Sequence, residues 1–344
     1  MRRSVLFMLI VLLAAGSVFA EEAVLIDFAQ LTPDYPADDP VHNERTLVDY
    51  STAAGSSYTE EEKAEMKISL ALNAWEIDIA SSSRNVTTVS NSMVRPAPVR
   101  EGASNYENET VLGARVRFPE DPFNSWALIS PPFEIPAYAD LTEVADDGSV
   151  EVPQEEEGRG TKFDGIGVVK NVGVLRSVSM NVHGLNFPHG ISIVLQDENN
   201  EEHEIFMGYL RFDGWRTLEW RNPNYIQEVR NRELRVFPLY PNLTPMRKLI
   251  GIRVYRDASM QGGDFITYIK DISLTYDRAV LQLERDINDE SVWGILQERE
   301  RSRREAELRN LGSIQVLRYL EERKMHDPDG AAEGEQGEAG TTAP

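Results

Sequence analysis

From Ala23 to about Asp277 the chain alternates apolar and polar residues with a period of two, the signature of half-buried strands. The segment "VLGARVRF" puts Leu112, Ala114, Val116 and Phe118 on one side, and "WEIDIA" does the same with Trp75, Ile77 and Ile79. Further along, Val172, Val174, Val178, Met180 and Val182 share one parity, with Arg176 the exception. Ile191, Ile193 and Leu195 follow, separated from their neighbours by the turn chemistry of "NFPHG" and "DENN". The series runs on through "EIFMGYLRF", "WRTLEW", "LRVFPL" and "LIGIRVYRD". It ends in "FITYIKDISLTY", where Ile266, Tyr268, Ile272, Leu274 and Tyr276 are expected on one face. The prolines of "SWALISPPFEIP" restrict that segment to a sheet edge or a strand end.

Helical signals are sparse in this region. Thr59 to Asn73 reads as a helix, because Thr59 with Glu62 makes a capping box and Glu60 and Glu61 suit its positive end. Pro33, Pro36 and Pro40 mark a loop, and residues 140–161, with "ADDGS" and "QEEEGRG", read as an acidic loop. A parallel α/β fold needs a helix after most strands, and these are missing. The expected fold is therefore mainly β: an antiparallel, jelly-roll-like β-sandwich over residues 21–278, with a short helix near 60–73.

Both ends differ from this middle. The opening "MRRSVLFMLIVLLAAGSVFA" has a positive start at Arg2 and Arg3, an apolar run too short to span a bilayer, and small residues before Glu21. It reads as a secretory signal peptide over residues 1–20, cleaved between Ala20 and Glu21. Residues 279–326 form a charged helical extension in which Glu300 with Arg304 and Glu305 with Arg309 are favourable i,i+4 pairs. Its run "QERERSRRE" holds no apolar residue, so that helix bridges solvent, lies loosely on the domain or meets a charged partner. Residues 327–344 are an acidic Gly/Ala-rich tail without the apolar content needed to fold.

Composition narrows the function classes. The formal charge is −22, which repels nucleic acid and anionic lipid. No second apolar run approaches membrane length, so no membrane insertion is expected after cleavage. There is no cysteine. A chain of this length can bury a large core without disulfides, and an exported protein without them leans towards a bacterial periplasm.

Catalytic chemistry is not apparent. No nucleophile–base pair, Gly-rich phosphate loop or zinc-ligand spacing stands out. Of five histidines, His183 and His189 flank the turn "HGLNFPHG" and could share a metal with Asp197 or Glu198, but their spacing fits no known zinc pattern. No cofactor, metal or enzymatic activity is expected. The aromatic-rich stretch "YLRFDGWRTLEWRNPNYI" is the most distinctive feature. Trp215 and Trp220 are five residues apart, so an unbulged strand points them to opposite sides. Leu218 then accompanies Trp220, and Thr217 accompanies Trp215. An outward aromatic beside Arg216 suits a protein contact or a sugar. Trp215, Arg216, Trp220, Tyr225, Arg299 and Arg303 are the candidate contact residues.

Long strings across the chain also resemble a known family. "LIDF", "TLVDYSTAAGSSYTEEEKAEMKISLALNAWEIDIASSSR", "SWALISPPFEIP", "GVVKNVGVLRSVSMNVHGLNFPHGISIVLQD" and "GYLRFDGWRTLEWRNPNYI" are similar, in order, to the flagellar filament outer-layer (sheath) proteins of spirochaetes. The likeness runs from about residue 24 to 278 and leaves the helical end and acidic tail uncovered. It implies a structural subunit of the periplasmic flagellum that coats the flagellin core and shapes filament form, stiffness and motility. Its implied partners are flagellin core proteins and copies of itself or other sheath proteins. It implies no catalytic residues. The family's sandwich is similar to the jelly-roll of carbohydrate-binding modules, so a periplasmic sugar-binding module is the alternative, although fold alone does not establish function.

Overall fold

In the computed structural model the alternating segments pair into two six-stranded antiparallel sheets. The structure describes residues 20–33, 43, 46–49, 51, 56, 58–137, 143–144, 150–151, 165–233 and 245–279, and positions 292–295, 298–299, 301–303, 305–307, 309 and 317. The first sheet runs β14 (Asp213–Arg221), β11 (Val172–Leu185), β16 (Gly263–Arg278), β6 (Thr110–Phe118), β5 (Met93–Pro98). The second runs β13 (Glu202–Tyr209), β12 (Gly190–Gln196), β15 (Met246–Arg256), β7 (Ser125–Ser130), β4 (Glu76–Ile79). Each sheet has a sixth strand against a long central one: β1 (Glu21–Asp27) pairs with β16, and β10 (Val168–Lys170) with β15. Two smaller ladders join β2 (Leu47–Asp49) to β3 (Lys67–Ser69) and β8 (Glu143–Val144) to β9 (Val150–Glu151).

The inward faces share one core. Leu112, Ala114, Val116 and Phe118 of β6 meet Ile191, Ile193 and Leu195 of β12 there, as their spacing predicts. Trp75 closes one end; its indole Nε1 donates to the Leu70 carbonyl at 2.8 Å and its ring stands edge-on to Phe28 at 5.2 Å. Val172, Val174, Val178, Met180 and Val182 are all buried. Arg176 breaks the pattern because β11 is irregular between Leu175 and Ser177, and the extra residue turns outward.

In β16 the structure departs from the expected face. The inward residues are Phe265, Thr267 and Ile269 in the first half, then Ile272, Leu274 and Tyr276. Ile266 and Tyr268 therefore point away from the core. Across from β11, Asn181 pairs with Asp271 and Val182 with Ile269, leaving Lys270 unpaired in the ladder. That bulge flips the side-chain parity, since one added residue exchanges the two faces. It falls where β16 changes neighbour, from β6 up to Ile269 to β1 from Asp271.

Other segments depart from their expected form or sharpen it. The helix expected over 59–73 is α1 (Glu60–Glu65), with its capping box intact: Glu62 donates its backbone N–H to Thr59 Oγ1 at 3.2 Å, and Thr59 donates to Glu62 Oε2 at 2.8 Å. It stops early because Met66 is pulled into the core and Lys67–Ser69 pair with β2, so tertiary pairing overrides helical propensity. β7 is internal, flanked by β15 and β4, and its prolines mark the strand's end. The proline-bearing edge is β5, whose Pro96 and Pro98 suit an outermost strand. After α2 (Val86–Ser90), the longest described helix is α3 (Tyr225–Glu233), which follows β14 directly. Within 140–161 the described residues form the β8–β9 ladder. The "LRVFPL" segment, residues 1–19 and residues 318–344 lie outside the described residues.

Candidate interaction surfaces

The outward face of the first sheet carries Trp215. Register places it beside His183 on β11, which lies opposite Tyr268 on β16. The rings pack edge to face, Trp215 to His183 at 5.2 Å and His183 to Tyr268 at 5.8 Å. Tyr106 comes down from the β5–β6 loop and meets Trp215 at 4.8 Å. Its backbone is left-handed (φ 56°), a conformation uncommon for an aromatic residue and here held by the loop. One rung along, Thr217 donates to Asn181 Oδ1 at 2.5 Å and Asn181 Nδ2 donates to Asp271 Oδ1 at 2.8 Å. Burial raises the Asp271 carboxyl, partly offset by Asn181.

Lys270, the bulge residue, anchors this face. Its ammonium pairs with Asp27 at 2.5 Å and Glu109 at 2.9 Å and lies 5.8 Å from the Tyr106 ring. Burial opposes its charge, but the two carboxylates outweigh that and raise its pKa. Asp27 also accepts from the Ala29 N–H at 3.0 Å, so one side chain ends β1 and holds the bulge.

The other sequence-derived candidates disperse. Trp220 and Leu218 pack against the core from the opposite face of β14, as their parity predicts. Arg216 is exposed and lies 4.4 Å over the Phe212 ring. Tyr225 opens α3, donates its hydroxyl to Asp277 Oδ2 at 2.9 Å, and has the Arg176 guanidinium 5.7 Å over its ring. Arg299 is exposed in the helical extension. Arg303, also there, pairs with Glu307 at 3.0 Å and reaches within 4.0 Å of Met246 Sδ at the start of β15. Among the described residues, Arg303 is where the extension reaches the sandwich. Glu21 is the first residue of β1 and ion-pairs with Arg278, which lowers its carboxyl.

The two turn histidines do not converge. His183 lies on the outward face just described, whereas His189 is 4% exposed within an aromatic nest. Phe118 stacks on it at 5.2 Å and Phe265 lies at 4.7 Å. Asp197 instead meets His203 Nε2 at 3.2 Å and accepts from the Asn199 and Glu201 N–H groups, which caps the β12–β13 turn.

Sequence reasoning missed the outward face of the second sheet. Register aligns Trp126 with Tyr255, Tyr255 with Gly190, and Gly190 with Tyr209, one row across four strands. The next row aligns Phe206, Ser192, Arg253 and Leu128. Phe206 and Tyr209 share this side because β13 is bulged opposite Ile191 and Ser192, with Gly208 at φ 138°. Their rings meet edge to face at 5.3 Å and fold over Gly190, where a Cβ would come within 2.9 Å of Phe206. Arg253 lies 5.1 Å over the Trp126 ring and pairs with Glu204 at 2.6 Å, which also accepts from the Tyr255 hydroxyl. Burial and the Glu204 carboxylate keep the Tyr255 phenol protonated well past neutrality.

Comparison with known proteins fixes the family. The family model for the flagellar filament outer layer protein FlaA matches residues 40–285. The chain belongs to the FlaA family. It is 49% identical over 310 residues to a flagellar filament outer layer protein of Spirochaeta aurantia, covering 90% of this chain and 89% of that one. A protein of the same description from Treponema pallidum is 46% identical over 331 residues, covering 94% and 95%. Among solved structures, the carbohydrate-binding module TmCBM61 is similar with a TM-score of 0.28 and 11% identity, over 60% of this chain and 90% of that one. The FlaA match spans most of both sheets described above, and so includes both outward faces.

Proposed function

We propose that this chain is a non-enzymatic structural subunit of the outer layer of a periplasmic flagellar filament. In this role it coats the flagellin core and contributes to filament shape, stiffness and motility. The observation that carries the reading is the FlaA family match over residues 40–285, together with near full-length relatives described as flagellar filament outer layer proteins. Export by a signal peptide ending at Ala20 is part of the proposal; β1 beginning at Glu21 and pairing with the last strand from its first residue supports it. A mature chain trimmed to Glu21 keeps the whole ladder.

The geometry adds how such a subunit could work. A coat needs many modest contacts, because assembly multiplies them. β14 forms one edge of the first sheet and carries exposed Arg216, Glu219 and Arg221, charges that keep an edge from pairing indiscriminately. The Trp215–Tyr106 platform beside it offers the kind of aromatic residue that anchors protein contacts. The test is sedimentation of the purified chain with filaments taken from cells lacking its gene. Saturable co-sedimentation that free saccharides do not abolish is expected. A chain that stays in the supernatant, with filaments that already carry a complete outer layer, contradicts the proposal.

A further inference from the structure

The geometry points to a second binding site: the outward face of the β13–β12–β15–β7 sheet takes a short neutral oligosaccharide. Three of the largest exposed apolar side chains of the described residues sit on this one face. Trp126, Phe206 and Tyr209 are 36%, 47% and 52% exposed, with Tyr255 between them in register. At the ordinary strand spacing, the row from Trp126 to Tyr209 crosses three gaps and spans about 14 Å. Two rows along the strands make it about 7 Å wide.

Those dimensions decide the class of ligand. A ribbon of about 14 by 7 Å offers roughly 100 Å², far below the roughly 800 Å² per partner of a stable protein interface. It matches a few linked pyranose rings, whose C–H faces lie on aromatic rings while their hydroxyls need donors and acceptors at the side. The polar groups beside the aromatic rings supply both kinds. Arg253 donates, and the Glu204 carboxylate and the Tyr255 hydroxyl oxygen accept, all three already held in one hydrogen-bonded group. Because Arg253 and Glu204 neutralise each other, the group has polarity without net charge, which favours a neutral sugar over a uronic acid. Ser192 adds an independent indication. It is fully buried, on the outward side of β12 between Phe206 and Arg253, and among the described residues its hydroxyl has no hydrogen-bond partner; nor does Arg253 Nε. Unmet polar atoms beneath an aromatic row cost stability unless something uses them.

The platform is built rather than accidental. Phe206 and Tyr209, three residues apart, face the same way only because of the bulge at Gly208, and they fit only because Gly190 has no side chain. Trp215 on the other sheet is less suited to a sugar, since Tyr106 and His183 already pack against its ring.

The test uses the purified full chain and neutral tetrasaccharides of β-1,4-linked glucose, mannose, xylose and N-acetylglucosamine, read by tryptophan fluorescence and titration calorimetry. At least one should bind saturably. Trp126→Ala and Tyr209→Ala should each weaken it about tenfold or more at unchanged melting temperature, while Trp215→Ala leaves it intact. Retention on filaments that falls after their glycans are stripped, in the unaltered chain but not in Trp126→Ala, would identify the sugar as protein-borne. Binding to soluble tetrasaccharides without that fall would identify a free polysaccharide. Failure of every neutral saccharide to saturate the chain at millimolar concentration overturns the proposal. So does binding that both substitutions leave untouched. Loss of filament retention in Trp126→Ala without any saccharide binding would instead make this face a protein contact.

Discussion

His189 should make the sandwich lose stability in acid. The ring is 4% exposed, stacked on Phe118 and flanked by Phe187 and Phe265, and neither ring nitrogen has a hydrogen-bond partner among the described residues. Burial, reinforced by the nearby Arg256 guanidinium, lowers its pKa to about 4. In the unfolded chain the ordinary value is about 6.5. Between those two values the unfolded state binds a proton that the folded state refuses, so stability rises with pH across the window. It is fully present above about 6.5 and is lost as pH falls towards 4. A gap of about 2.5 units corresponds to about 3 kcal/mol, most of it lost by about pH 4.5. The assay is urea unfolding at about pH 7.5 and pH 4.5 on the unaltered chain and on His189→Phe, which keeps an aromatic ring but cannot titrate. Other carboxylates titrate in both proteins and cancel in the comparison. The unaltered chain should lose about 2–3 kcal/mol more than the variant on acidification. Superimposable pH profiles would refute the reasoning, as would a larger acid loss in the variant.

Other perturbations test separate parts of the account. Lys270→Met removes the cation between Asp27 and Glu109 at the β16 bulge and should cost about 1–3 kcal/mol in chemical denaturation, because two neighbouring carboxylates, both partly open to solvent, lose their shared partner. Trp75→Ala, which empties a buried site 3% exposed, should cost about 3–5 kcal/mol and leave filament binding per folded molecule unchanged. Trp215→Ala should cost under about 1.5 kcal/mol yet weaken co-sedimentation with filaments; an equal loss of stability in both tryptophan variants, with binding intact, would remove Trp215 from the contact surface. Gly190→Ala pushes the Phe206 ring off its seat and should weaken saccharide binding in the same fluorescence titration without unfolding the chain.

Period-two alternation revealed the strands wherever the ladder is regular. β6 and β12 bury the residues their spacing selects, and Trp215 and Trp220 diverge because no bulge intervenes in β14. Where a strand gains a residue, parity inverts and the pattern misleads. Lys270 does this in β16, and nothing in "YIKDIS" separates a bulge from an ordinary polar position. The same effect hid the aromatic row. Phe206 and Tyr209 look like opposite-face neighbours until Gly208 is known to carry a positive φ, and Trp126 and Tyr255 meet only through pairing of distant strands. Gly208 and Gly190 were the available signals, since glycine inside a strand often marks a bulge or a close approach. The capping box placed the start of α1 correctly; its end was set by the β2–β3 ladder, a contact no local propensity encodes. The family resemblance was readable because long segments, not a few chemical residues, carry it.

Imaging purified filaments by cryo-electron microscopy, from cells with and without this gene, tests the central claim most directly. A coat subunit predicts a layer outside the flagellin core into which the two-sheet sandwich fits, and which thins or vanishes when the gene is deleted. Filaments of unchanged diameter, with the same outer density in the deletion strain, would contradict it.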